Sequence, residues 1–135
     1  MALFGSLNNY RNTGLLIIRV GLGAMMVYHG YPKLLGGPEG WAGLGTSTKY
    51  VGITFLPVVW GFLAAVVETL GGFLFLIGLA FRPVCLLLLI NLIVAAATHF
   101  GKGDGLQGAA HAVELAFVFA GLLFVGPGKY SVDKK

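Results

Sequence analysis

Apolar positions dominate this chain in four long runs, at about 13–35, 56–80, 83–100 and 106–126, with short polar or Gly/Pro-rich breaks between them. A helix needs about 20 mostly apolar residues to cross a bilayer. Backbone polar groups in lipid must be bonded internally, so each run is predicted as a spanning helix and the four as an all-α bundle. The breaks fit this division. Gly36-Gly37-Pro38 should stop the first helix and Gly126-Pro127-Gly128 the last. Phe81-Arg82-Pro83 marks a tight hairpin, with Pro83 in a first helical turn where its missing N–H costs nothing. Gly21, Gly23, Gly71, Gly72, Gly78 and Gly121 should allow close helix approach.

Composition agrees with the pattern. Hydrophobic residues make up 57% and charged residues 10%, against roughly a quarter charged in soluble domains. The 135 residues suffice for one domain, 1–135, and no second. The net charge of +4 lies largely at the chain ends and in short loops, and no basic stripe interleaved with aromatics exists. A membrane protein with no nucleic-acid partner is therefore expected. The single cysteine, Cys85, excludes an intrachain disulfide and a CxxC pair and is read as a small buried hydrophobe. The polar segment 1–12 lacks a small-residue cleavage site, so no cleaved signal is expected.

Lysine and arginine set the expected orientation. Arg11, Arg82, Lys129, Lys134 and Lys135 fall on one side, against Lys33, Lys49 and Lys102 on the other. This excess places both termini in the cytoplasm. The connection 36–55 then lies outside, where Trp41, Tyr50 and Trp60 form either an aromatic belt or a loop folded over the bundle mouth. A faint repeat also runs through the chain. Glu68 and Glu114 each follow a valine and precede a phenylalanine (Phe73, Phe119) by five residues, and His29 and His99 close helices ahead of a lysine. Two related helical hairpins would produce it, and so would coincidence in an apolar chain.

The chemistry lies in ionisable residues set within the apolar runs. A charge at mid-bilayer costs roughly 2.5–3.5 kcal/mol on insertion scales, so such residues pair or line a polar site. At ~1.5 Å per residue, Arg19 falls toward the inner leaflet, Glu68 and Asn91 near the centre, and His29, His99, His111 and Glu114 in the outer half, with Lys33 at the rim. Ligand binding or a proton relay is expected of His29, Glu68, His99, His111 and Glu114. These would share one pocket with Glu68 at its floor. Arg19, Lys33, Asn91 and Arg82 are expected to serve ion pairing or helix packing. For Arg19 the options are a pair with Glu68 or a stem that snorkels to headgroups. No metal is expected, because neither HExxH nor ExxH occurs. The lesser alternative is a metal on His29, His99, His111 and Glu114. A neutral histidine beside a carboxylate could instead serve the protons of a quinone.

The run Arg19-Val-Gly-Leu-Gly-Ala-Met-Met-Val-Tyr-His29-Gly-Tyr-Pro-Lys33-Leu resembles the first helix of the DoxX family. Glu68-Thr-Leu-Gly71-Gly72, then Gly78-Leu and Arg82-Pro83, is similar to its second helix and hairpin. Gly126-Pro-Gly128-Lys-Tyr-Ser131-Val-Asp133 is similar to its closing Gly-x-Gly-x-x-Ser-x-Asp. By motif, Arg19, His29, Lys33, Glu68, Arg82 and Asp133 are the matching positions, whereas His99, His111 and Glu114 rest on position alone. The resemblance implies a four-helix subunit of a prokaryotic cytoplasmic membrane, of the kind found in thiosulfate:quinone oxidoreductase and quinol oxidase complexes.

Three function classes follow. The first is a quinone-interacting subunit of a membrane oxidoreductase, its electrons coming from another subunit. No covalent cofactor is expected, and no flavin, haem or iron–sulfur motif is evident, so the chain alone is not a complete enzyme. The second is a module that binds or transports a lipophilic solute, and the third a structural subunit. Partners are the bilayer and either other subunits or further copies of the chain. Cysteine labelling from each side of the membrane, after replacement of Cys85, checks the orientation. Cytoplasmic access to both termini is expected, and an external C-terminus would reverse it.

Overall fold

The structure, a computed structural model, describes residues 3–134. Met1, Ala2 and Lys135, the last counted in the charge balance, lie outside the described residues. Among those described, helix α1 (Arg11–Leu35) follows a short 3-10 segment, and α3 (Pro57–Ile77), α4 (Phe81–Gly101) and α5 (Gly105–Val125) complete four helices long and apolar enough to span a membrane. Their boundaries lie close to the four apolar runs. A 21-residue helix is about 31 Å long, which matches a hydrocarbon core of about 30 Å.

The connection 36–55 is not a loop. It folds as α2 (Gly37–Gly45) and a 3-10 segment (Thr46–Val51). Gly36 does end α1, but Pro38 lies in the first turn of α2, where proline favours helix as readily as it stops one. Trp41 pins the segment down. Its indole N–H is shared by the carbonyls of Lys33 and Leu34, 3.2 Å from each, and its ring meets Phe62 edge-on at 4.8 Å. Gly45 and Gly61 let α2 lie directly on the start of α3, against Pro57 and Trp41 respectively.

The helices pair as α1 with α3 and α4 with α5, and contact between α3 and α4 joins the pairs. The α1–α3 crossing is close because glycines line it. A Cβ at Gly23 would stand 2.8 Å from the Gly72 carbonyl oxygen, and one at Gly30 would stand 2.7 Å from the Glu68 Cβ and the Thr69 nitrogen. Gly72 is equally filled, by Met26. Gly71 makes only ordinary contact with Leu88, and Gly21 and Gly121 have nothing within 4 Å among the described residues. Three of the six expected packing glycines thus hold close contacts (Gly23, Gly72 and Gly78), while Gly30, Gly45 and Gly61 do the same unforeseen. Phe75, Phe81 and Phe119 form the buried centre, with Phe75 stacked on Phe81 and edge-on to Phe119 at 5.2 Å.

Replacing Gly72 by leucine forces apart the α1–α3 crossing and should cost about 1–3 kcal/mol, the range for overpacking. Gly21→Leu faces open space and should change stability by no more than about 0.5 kcal/mol. Thermal unfolding of the two variants in detergent, beside the parent protein, measures both.

Candidate functional site

Polar groups gather at two places, and they do different things. At the end where α1 begins and α5 finishes, charges complete the backbone. Arg19, 2% exposed, donates from Nε and Nη2 to the Leu76 carbonyl at 3.3 and 3.0 Å, and from Nη1 to the Pro127 carbonyl at 3.1 Å. Arg82 donates to the carbonyls of Leu123 and Phe124 at the end of α5. Asp133 accepts the N–H groups of Ala80 and Phe81, at 3.1 and 2.8 Å, where the chain enters α4 with Ala80 at φ 49°. The closing segment is laced across the α3–α4 turn by Val132 N–H to Ile77 and Asp133 N–H to Gly78. Helix ends leave carbonyls and N–H groups without helical partners, and these side chains supply them. The expected pair of Arg19 with Glu68 does not form, nor does Arg19 reach outward to headgroups. Carbonyls freed at helix ends hold it instead.

The other gathering lies between the helices. Lys33 Nζ, from α1, donates to both carboxylate oxygens of Glu68 on α3, at 3.0 and 2.9 Å. Asn91 on α4 donates its amide N–H to Glu68 Oε1 at 3.0 Å. Three helices therefore converge on one carboxylate whose side chain is 12% exposed. Lys33, expected at the rim, reaches Glu68 because α1 is offset along α3. Gly30 lies beside Glu68 and Gly23 beside Gly72, so the first turns of α3 rise past the end of α1 and pack on α2 instead.

Cavities flank this cluster. One, about 190 Å³, is a crevice lined by His29, Lys33, Glu68, His99 and His111 together with apolar side chains. Another, about 160 Å³, lies toward α2 and is lined by Lys33, Leu44, Ser47, Glu68, Asn91 and His99. Lys33, Glu68 and His99 line both. A third, about 390 Å³ and almost wholly apolar, runs between α3 and α4 and touches the cluster through Asn91. Only this last falls in the usual range for ligand pockets, about 300–1,000 Å³. Trp60 lines it, and its buried indole N–H has no acceptor among the described residues.

Four of the five expected site residues thus face one crevice. His29 and His111 meet edge-on across it, ring centroids 6.4 Å apart. His99 lines it while bonding Asp104 at 2.9 Å near the surface. Glu114 is not part of it: the residue is exposed and makes no hydrogen bond among the described residues. At about 100° per residue, Gly108, Ala112 and Leu115 of the crevice lie to one side of His111, and Glu114 lies about 60° to the other. Three-residue spacing gave the two a common face but not a common target. Among the described residues no three His, Cys, Asp or Glu side chains gather closely enough to hold a metal ion.

The fold and the polar core define a small polytopic membrane protein of four spans. The chain belongs to the DoxX family, whose pattern matches residues 14–101, well over half its length. The match takes in Arg19, Lys33, Glu68 and Asn91 and ends before α5, so His111, Glu114 and the closing segment lie outside it. No curated protein and no solved structure matches the chain.

Arg19 and Lys33 should respond differently to loss of charge. Arg19→Met leaves the buried Pro127 carbonyl and the half-buried Leu76 carbonyl unpaired, at about 1–3 kcal/mol for the buried one and less for the other. Lys33 has a side chain 39% exposed, so Lys33→Met should cost less than Arg19→Met. Chemical denaturation of the two variants in the same detergent compares them.

Proposed function

We propose that this chain is a membrane subunit that binds a lipophilic quinone beside Glu68 and serves the protons of its redox chemistry. Electrons would come from a redox centre on another subunit. The observation that carries the reading is a carboxylate held by three helices at the wall between two cavities, with an apolar slot leading to it through Asn91. Reduction of a quinone to the quinol takes up two electrons and two protons.

The residues suit that demand. Glu68 accepts up to three hydrogen bonds from Lys33 and Asn91, so a proton arriving on the carboxylate loosens Lys33 and frees Asn91 to turn toward a ligand oxygen. His29 and His111 line the crevice while remaining exposed, and His99 joins the crevice to the surface through Asp104. A histidine is the side chain best able to exchange protons near neutral pH. The apolar slot suits the body of such a ligand and excludes water from it. A lipophilic solute carried without redox chemistry would use the same slot, and the pH dependence of binding separates the two.

Titration with a quinone analogue, followed by tryptophan fluorescence of Trp41 and Trp60, tests the reading. The native protein should bind saturably, with proton uptake on reduction. Glu68→Gln should keep the fold and the binding but lose the proton uptake. Glu68→Leu should weaken binding about tenfold or more, the loss of about 1.4 kcal/mol. His29→Ala and His111→Ala should be non-additive by at least about 0.5 kcal/mol. Absence of saturable binding by the native protein would leave the Lys33–Glu68–Asn91 cluster a purely structural tie.

A further inference from the structure

Glu114 is the tenth of 21 residues in α5, at the middle of a span. It is exposed, and it has neither ion-pair nor hydrogen-bond partner among the described residues. Every other carboxylate inside a spanning helix is accounted for, since Glu68 is held by Lys33 and Asn91. A carboxyl group facing hydrocarbon at this depth is costly in either protonation state, because even the neutral acid lacks partners there. Something other than lipid must cover it.

The same face of α5 shows what fits. Gln107, His111, Glu114, Val118, Gly121 and Val125 are all exposed. They recur at alternating intervals of four and three residues, the seam spacing of two helices packed in a left-handed coil. Gly121 has open space where a side chain would stand, as close approach between spanning helices requires. The seam also carries its own donors, His111 and Gln107, within two turns of Glu114. It is self-complementary.

We propose that α5 pairs with α5 of a second copy of this chain, across the Gln107–Val125 seam. Two copies inserted with the same topology are related by an axis along the membrane normal, so their α5 helices run parallel. A seam of this spacing then sets each residue beside its counterpart. Glu114 of one copy lies next to Glu114 of the other, one turn from both His111 rings. Shared hydrogen bonds in that layer satisfy carboxyl groups that a lone chain leaves bare. The pairing also brings the second copy to the edge of the crevice that His111 lines, without depending on what the crevice binds.

Single cysteines in a Cys85→Ala background test this in liposomes. Val118→Cys and Gly121→Cys should give disulfide-linked dimers on mild oxidation. Phe117→Cys, one position off the seam, and Ile93→Cys, exposed on α4, should give few. Single-molecule photobleaching should show two copies per spot, and Glu114→Leu should lower the dimerisation constant about tenfold while Glu114→Gln largely preserves it. A monomer at all densities, linkage through Ile93→Cys in place of the seam, or dimerisation indifferent to Glu114→Leu would each overturn the proposal.

Discussion

The close crossing of α1 and α3 decides where every functional side chain falls. Gly30 sits so near the Glu68 Cβ and the Thr69 backbone nitrogen that any side chain there would collide. One turn further along α1, Lys33 is thereby brought level with the Glu68 carboxylate despite lying near the helix end. Had the two helices been held apart by ordinary side chains, the ammonium would reach the interface and leave the carboxylate with Asn91 alone. The glycines therefore do electrostatic work through geometry. Their contribution to the site is not in what they touch chemically but in the separation they permit.

Charge in this molecule divides by task along the membrane normal. Arg19, Arg82 and Asp133 all bond to backbone groups at helix ends, and together with the closing segment they lock α1, α3, α4 and α5 at one end. None of them faces the cavities. Lys33, Glu68 and Asn91 bond to one another, and both Lys33 and Glu68 line cavities. In the first group Arg19 and Arg82 are held by carbonyls, which do not change protonation. The second can rearrange with a single proton, since a neutral Glu68 no longer holds an ammonium at the same strength.

Much of this could be read in the residues. Long apolar runs demand helices, and the cost of buried charge marks Arg19, Lys33 and Glu68 as partnered. Their partners are not legible, because depth counted from helix ends treats all four helices as level. The helical fold of 37–45 breaks that assumption by covering the first turns of α3 and displacing α1 along it. Gly-rich composition suggests a loop there, whereas Pro38 in the first turn and packing on Gly61 and Phe62 favour the helix. Asn91 falls at the depth of Glu68 and bonds it, but an amide carries no charge, so the bilayer penalty that flags Glu68 barely flags it.

Glu68 and Glu114 show how the same residue type can be resolved in opposite ways. Both follow a valine and both fall near the middle of a span. Glu68 turns inward, where α1 and α4 supply donors, and its position is fixed by the chain itself. Glu114 turns outward because the inward face of α5 is already taken by Ala112, Leu115 and Phe119, which pack against the core. Rotating α5 to bury Glu114 would expose Phe119, a fully buried ring in contact with Phe75, and would unmake the centre of the bundle. The core thus wins the inner face, and the carboxyl group is left exposed at the middle of the span.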